Sequence, residues 1–239
     1  MKVLLISPNV ESLPDPVFPI GLAQIAAALK VNQIEYDVLD LCFIPDYEAA
    51  IASALTRVQP NIIGLSLRNV DNVSYPNYTS YLPFYYQVVQ TIRRQSRCPV
   101  IIGGSGFALM PEAIMEYLGA DFGIIGEGEL ALEKLIHHIN RKKDLYLSPE
   151  PKIFDSSSAV IEDLDALPIP DRSGFDNRAY LKWGGMGNIQ TKRGCPFKCI
   201  YCTYPIIEGR KTRLRNPKMI GDEFGGNKGG ICVAAPFYR

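Results

Sequence analysis

The first 141 residues alternate short apolar runs with segments in which apolar side chains recur every three or four positions. A short apolar run bounded by turn residues is typical of a buried strand, whereas the wider spacing indicates an amphipathic helix. Because the runs are apolar on both faces, we expect a parallel sheet covered by helices on each side. The predicted strands are Lys2–Ser7, Tyr36–Leu41, Asn61–Leu67, Pro99–Gly103 and Asp121–Ile125.

Five helices are predicted to connect or follow these strands. Pro111 opens the fourth helix and Gly119 closes it, and the fifth runs from about Glu127 to Arg141. Alternating strands and helices predict an α/β fold, a flavodoxin- or Rossmann-like doubly wound parallel sheet of five strands. The first three helices are marked by apolar sets at helical spacing: Phe18/Leu22/Ile25/Leu29, Tyr47/Ile51/Leu55/Val58 and Leu82/Tyr85/Val89/Ile92.

In a doubly wound sheet the ligand crevice lies at the carboxyl ends of the strands. The loop after the first strand lacks the G-x-G-x-x-G pattern, which argues against a nicotinamide or flavin dinucleotide. Glycines at neighbouring strand ends let a bulky ligand approach the backbone, although ordinary turn glycines are the alternative interpretation. The candidate binding residues are Ser66, Arg68 and Asn69 after the third strand, Gly103, Gly104 and Ser105 after the fourth, and Gly126, Glu127 and Gly128 after the fifth.

Charge and hydropathy exclude several classes of protein. Lysine plus arginine and aspartate plus glutamate both number 25, so no net field attracts nucleic acid or an anionic membrane. No apolar run reaches the ~18 residues of a membrane span, and the amino terminus is predicted to be a strand rather than a signal peptide. The basic segment 209–217 lacks interleaved aromatic residues, which favours a loop over a nucleic-acid site. We therefore expect a cytoplasmic protein in a reducing compartment.

Three of the six cysteines, Cys195, Cys199 and Cys202, fall within eight residues in the spacing C-x3-C-x2-C. Thiolates this close repel each other and oxidise easily, so a soft metal centre is the arrangement that stabilises them. Three thiolates on a four-iron cubane cluster leave one iron open to another ligand. Zinc is the alternative, but it usually needs a fourth ligand at short spacing, and His137 and His138 lie far upstream. An accidental cluster of cysteines is the third possibility.

The cysteine triplet, with Tyr201 just before the last cysteine, resembles the signature of radical S-adenosylmethionine (SAM) enzymes. The resemblance implies that Cys195, Cys199 and Cys202 hold a [4Fe-4S] cluster and that Tyr201 lies against the adenine of SAM. It also implies that the open iron binds the amino and carboxylate groups of SAM. An electron donor such as flavodoxin or ferredoxin would then drive cleavage of SAM to a 5′-deoxyadenosyl radical.

The strand-end loops and the cysteines together resemble the cobalamin (B12)-binding radical SAM enzymes over residues 1 to about 224. The resemblance implies a cobalamin-binding domain at 1–141, a linker at 142–185 and the amino-terminal part of a radical SAM domain at 186–239. It assigns the nine strand-end residues named above to cobalamin, with the loops after the fourth and fifth strands around its nucleotide tail. The D-x-H-x-x-G loop that supplies a histidine to cobalt in other B12 domains is missing, so binding without a protein histidine is implied.

Only 45 residues follow Gly194, whereas a full (β/α)8 barrel takes about 250. The expectation is therefore a partial radical SAM (β/α) barrel in a truncated member of the family. The predicted function is reductive cleavage of SAM with cobalamin-assisted methyl transfer to a small-molecule substrate. The alternatives are a cobalamin-binding module without catalytic activity and, more weakly, a flavodoxin-like scaffold without a cofactor.

Overall fold

The computed structural model describes residues 1–141, 152–157, 159–184 and 187–225. All five predicted strands form, and a sixth pairs with the last of them to complete a parallel sheet of order β2-β1-β3-β4-β5-β6. The doubly wound α/β fold is thus confirmed, with six strands in place of the predicted five. The strands are β1 (Lys2–Ser7), β2 (Glu35–Asp40), β3 (Ile62–Ser66), β4 (Val100–Gly103), β5 (Phe122–Ile125) and β6 (Lys152–Asp155).

The predicted helices are also present. The fourth begins with Pro111 and is capped by Gly119 in the left-handed conformation, as the sequence predicts. Two helices, the first and the fifth, cover one face of the sheet, and the other three cover the opposite face. The helices are α1 (Ile20–Val31), α2 (Tyr47–Val58), α3 (Leu82–Gln95), α4 (Pro111–Leu118) and α5 (Gly128–Arg141). None of the described helices is both long and apolar enough to cross a bilayer.

The described part of residues 142–185, which were predicted to be a surface linker, contributes to the core. They contain β6 and helix α6 (Asn177–Gly184), while 142–151 lie outside the described residues. Phe175 and Tyr180 both pack edge-on against Phe18, with ring centroids 5.1 and 5.4 Å apart. The segment therefore belongs to the same packed unit as the sheet, and the domain boundaries stay a prediction.

Asp171 anchors this segment to the sheet. Its carboxylate accepts hydrogen bonds from the Tyr36 hydroxyl at 2.6 Å, the Lys30 ammonium at 2.7 Å and the Ser173 hydroxyl at 2.6 Å. Burial alone would raise the pKa of Asp171, but these hydrogen bonds outweigh it and hold the pKa well below its usual range. The charged carboxylate thus stabilises the folded state.

We expect Asp171→Asn to lower the free energy of unfolding at pH 7 by about 1–2 kcal/mol. The expected effect is modest because Lys30 is exposed, so its ion pair with Asp171 contributes little to stability. A carboxyl group whose pKa is depressed in the folded state stabilises the protein at pH values above its unfolded-state pKa of about 3.9. This stabilisation is lost as the pH falls below that value. The gap between wild type and variant should therefore narrow below about pH 4. Urea denaturation across this range measures it, and a gap independent of pH would contradict the assignment.

The carboxyl-terminal part of the described chain begins with a short antiparallel ribbon. The ribbon pairs β7 (Lys192–Arg193) with β8 (Arg213–Leu214), and the single-turn helix α7 (Tyr204–Ile207) lies between them. Helix α8 (Pro217–Gly225) follows the ribbon. The cysteine loop, residues 194–203, is thus carried on one end of the β7–β8 ribbon.

Candidate functional site

A cavity of about 330 Å³ opens at the carboxyl edge of the sheet, a volume within the range of small-molecule sites. Eight of the nine residues predicted to bind cobalamin line it. The exception is Asn69, whose carbonyl oxygen instead accepts a hydrogen bond from the Tyr85 hydroxyl at 3.0 Å. The eight lining residues are Ser66, Arg68, Gly103, Gly104, Ser105, Gly126, Glu127 and Gly128.

The loops after β3 and β4 are bonded to each other at the mouth of the cavity. The Leu67 amide donates to the Gly103 carbonyl at 2.8 Å, and the Ser105 hydroxyl donates to the Arg68 carbonyl at 2.7 Å. Gly104 has φ +101°, and a Cβ there would lie 2.6 Å from the Leu67 carbonyl oxygen. Only glycine allows this approach, so Gly104 shapes the cavity by holding two loops together as well as by leaving space beside a ligand.

The inner wall of the cavity is apolar. It is formed by side chains from β1, α1, β4 and β5. Two glycines within strands, Gly64 and Gly103, also line the cavity and place no side chain in it. A Cβ on Gly64 would lie 3.2 Å from the Leu5 Cδ2. The apolar lining residues include Leu5, Leu22, Ile25, Ile101 and Ile124. A ligand with an apolar part suits this wall, and its polar groups would face the polar lining residues.

Asn9, just after β1, is a residue of the cavity wall outside the predicted set. Its side chain is buried, with 5% exposure, and neither Oδ1 nor Nδ2 has a hydrogen-bond partner among the described residues. Leaving a buried amide unpaired costs about 1–3 kcal/mol. A ligand that presents a donor and an acceptor side by side, as a primary carboxamide does, would satisfy both atoms.

Four buried charges join the turn after β5 to the β7–β8 ribbon, and we call them the turn–ribbon cluster. Three of them, Glu127, Glu129 and Arg193, line the cavity. Glu127 Oε1 lies 2.7 Å from Arg213 Nη1 and 3.3 Å from Arg193 Nη1, while Glu129 accepts a hydrogen bond from Arg193 Nη2. The other Glu127 oxygen accepts from the Ile161 amide at 2.6 Å. Burial lowers the pKa of Arg193, but the two carboxylates more than compensate and raise it. The cluster is neutral overall.

A second buried cluster, the Glu223 cluster, lies between the linker segment and α8. Glu223 Oε1 and Oε2 lie 3.1 Å from Arg172 Nη2 and Arg215 Nη1, respectively. The Arg172 guanidinium also lies 4.4 Å from the centre of the Phe18 ring. Because Arg213 and Arg215 are both buried in ion pairs, the basic segment 209–217 does not present them to nucleic acid.

The cysteine loop lies at the surface beside the turn–ribbon cluster. Cys195 and Cys202 are half-buried, Cys199 is exposed, and all three are free thiols. Tyr201 is 87% exposed. Within the described ranges, no three Cys, His, Asp or Glu side chains are arranged to hold one metal ion. A cubane cluster instead places its three thiolates on three different irons, and the donor set of the loop matches it in number and softness.

The two histidines lie away from the cavity. His137 is exposed on α5 and lies 3.8 Å from Glu133, while His138 is half-buried on the same helix. Neither residue lines the cavity wall.

A doubly wound sheet whose glycine loops frame a cavity at its carboxyl edge defines an α/β small-molecule-binding protein. The comparison with known families makes the class specific, because the B12 binding domain matches residues 6–136. The chain belongs to the B12-binding domain family.

Several curated relatives of the chain are methyltransferases. Tryptophan 2-C-methyltransferase of Streptomyces laurentii is 28% identical over 92% of this chain and 46% of its own length. An uncharacterised methyltransferase of Pyrococcus horikoshii is 26% identical over 93% of this chain and 50% of its own length. The chain thus spans about half the length of the curated relatives it matches.

Solved structures extend the likeness. The radical SAM methyltransferase TsrM from Kitasatospora setae, with cobalamin and a [4Fe-4S] cluster bound, has a TM-score of 0.78 and 27% identity over 93% of this chain and 45% of that one. The cobalamin-dependent SAM radical enzyme OxsB, with aqua-cobalamin and SAM bound, has a TM-score of 0.70 at 17% identity over 94% of this chain and 31% of that one, and supports the fold.

Proposed function

We propose that the cavity binds cobalamin and that the protein is part of a B12-dependent radical SAM methyltransferase. The observation that carries the proposal is the unpaired, buried Asn9 on the wall of a cavity framed by the glycine loops of a B12-binding fold. Corrinoids carry several primary carboxamides, which match the donor and acceptor atoms of Asn9. The apolar inner wall suits the base of the nucleotide tail.

In this proposal Cys195, Cys199 and Cys202 hold a [4Fe-4S] cluster, and Tyr201 contacts SAM. When bound, the cluster and SAM supply radical chemistry, and cobalamin supplies a methyl carrier. The residues of the chain contribute positioning. The glycine loops shape the cavity, Asn9 orients a carboxamide, and the turn–ribbon cluster holds the cysteine loop beside the cavity.

Several finer points belong to the same proposal. Cobalamin binds without a histidine ligand from the protein, since His137 and His138 lie away from the cavity wall. The substrate is a small molecule, the electron donor is a flavodoxin- or ferredoxin-like protein, and the compartment is reducing. Individual relatives are named for a tryptophan or a phosphonate substrate, and the described residues show no feature that selects between such classes.

A cobalamin-binding module without catalysis is the second candidate. It is favoured by one observation, that Cys199 and Tyr201 lie exposed at the surface of the described chain. Radical chemistry depends on the exclusion of water from the reacting groups. The two candidates share the cobalamin site and differ only in what the cysteine loop does.

Anaerobic reconstitution with iron, sulfide and hydroxocobalamin tests the proposal. After desalting, iron and cobalt are counted per chain and the UV–visible spectrum is recorded. About four irons and one cobalt are expected, and SAM cleavage to 5′-deoxyadenosine is then assayed. Cobalt without iron would favour the module, and the absence of both metals would contradict both candidates.

Replacing Asn9 by alanine separates ligand binding from stability. Because the Asn9 amide has no partner among the described residues, Asn9→Ala removes the cost of an unpaired buried amide, and we expect the cobalamin-free variant to be at least as stable as wild type. Loss of its bonds to a carboxamide should weaken hydroxocobalamin binding by about 5–30-fold, from one or two hydrogen bonds. Equilibrium dialysis gives the dissociation constant. An unchanged constant would remove Asn9 from the site.

A further inference from the structure

The β7–β8 ribbon depends on residues outside itself. It pairs only two residues from each strand, and Arg193 lies directly opposite Arg213. An isolated two-stranded ribbon is marginal at best, and like charges opposite each other destabilise it further. Glu127 and Glu129, on the turn after β5 and at the start of α5, supply the compensating charges. The turn after β5 therefore determines where the ribbon sits.

The ribbon in turn determines where the first cysteine sits. The Cys195 amide donates to the Gly209 carbonyl at 3.0 Å, so the two ends of the segment between β7 and β8 are joined. Gly194 has φ +79°, and a Cβ there would lie 2.1 Å from the Lys211 carbonyl oxygen. No side chain fits this contact, so a displacement of Arg193 is transmitted to Cys195 through a closely packed backbone.

The same charges form part of the cavity wall. Glu127, Glu129 and Arg193 all line the cavity, and their side chains are almost completely buried. A ligand in the cavity displaces water from beside these ion pairs. Attraction between opposite charges strengthens as water is excluded, so occupancy of the cavity tightens the contact that seats the ribbon.

We propose that the turn–ribbon cluster couples the cavity to the cysteine loop, with Glu129 and Arg193 as positioning residues. A corrinoid in the cavity favours iron–sulfur assembly at Cys195, Cys199 and Cys202, and the assembled cluster favours corrinoid binding. The inference rests on the proposed function, since it needs both groups to bind. Because coupling between two binding sites is reciprocal, the same factor must appear in both directions.

The test measures hydroxocobalamin binding to the whole chain in its iron-free and cluster-loaded forms by anaerobic equilibrium dialysis. We expect the cluster-loaded form to bind about tenfold more tightly, a typical coupling between two sites. In the reverse direction, saturating hydroxocobalamin should slow the loss of iron to a chelator. Equal or weaker binding by the loaded form overturns the coupling and leaves the cobalamin site intact, whereas no binding by either form overturns the proposed function itself.

Variants locate the coupling. Glu129→Gln removes one charge of the cluster, and its ratio of the two dissociation constants should fall to about one while hydroxocobalamin still binds. Glu162→Gln is the matched control, because Glu162 pairs with Lys211 at 2.5 Å at the solvent-exposed surface of the same region. Its ratio should equal that of wild type.

Arg193→Lys is a second test of the coupling, which still applies if Glu129→Gln does not fold. It keeps the positive charge but loses the forked geometry that contacts both carboxylates, so a reduced ratio in a folded protein is expected. A merely structural role would weaken both dissociation constants equally and leave their ratio unchanged. A wild-type ratio in both Glu129→Gln and Arg193→Lys therefore overturns the assignment.

Discussion

A Cys199→Ala variant is expected to lose its reconstituted iron, from about four per chain to fewer than one, while keeping about one cobalt per chain at saturating hydroxocobalamin. With one thiolate removed, Cys195 and Cys202 leave two irons of a cubane without protein ligands. Cys199 is exposed, so its truncation leaves the packing of the fold unchanged. SAM cleavage should disappear together with the iron.

Cys98→Ala is the matched control for this experiment. Cys98 is also a free thiol, but it lies far from the cysteine loop in the sequence. Its Sγ donates to the Pro60 carbonyl at 2.8 Å. Its iron and cobalt contents should equal those of wild type. Equal iron in Cys199→Ala and wild type would rule out the cluster at these cysteines, and a loss of cobalt at saturation would contradict a separate cobalamin site.

The predicted fold depended on signals that are local in the sequence, which is why it could be predicted. The strands β1, β3, β4 and β5 are apolar runs that are almost entirely buried, and α4 carries its own start and stop residues. Strand β6 has no such signal. Its Ile153 and Phe154 are only half-buried, because β6 lies at the edge of the sheet, and a pair of apolar residues in a polar segment does not predict a strand.

The part of the site that is built from the ends of strands could be predicted from the sequence. Glycine and serine after β3, β4 and β5 were placed at the crevice by the topology alone, because parallel strands end at one edge. Asn9 was missed because an asparagine after a strand usually indicates a turn, and only its burial distinguishes it. The contact between Arg193 and Glu129 spans 64 residues and leaves no pattern in the sequence.

Two buried clusters of ion pairs attach the carboxyl-terminal segment to the rest of the fold. The turn–ribbon cluster is neutral, and three of its four residues line the cavity, which is why we propose that it couples the cavity to the cysteine loop. The Glu223 cluster has two arginines for one carboxylate and is absent from the set of residues that line the cavity. Burial lowers the pKa of Arg172, and Glu223 only partly offsets this effect. Glu223 should therefore matter for stability.

A Glu223→Gln variant is expected to be the least stable of those proposed. Glu223 is fully buried, and its loss as an anion leaves Arg172 and Arg215 buried without a counter-charge. Breaking a buried ion pair from one side costs about 3–5 kcal/mol. In a domain of this size about 1 kcal/mol shifts Tm by roughly 2–4 °C, so a decrease of roughly 6–20 °C is expected. Thermal denaturation of the iron-free protein, followed by circular dichroism, measures it.

Glu162→Gln again provides the comparison, since this carboxylate pairs with Lys211 at the exposed surface and its Tm should equal that of wild type. Arg172→Met in the Glu223→Gln background tests the cause. If the instability arises from uncompensated charge, removing one arginine should restore part of the lost Tm, because an apolar side chain of similar length carries no desolvation cost. A double variant less stable than Glu223→Gln would mean that the Arg172 contact with Phe18, rather than charge balance, dominates at this position.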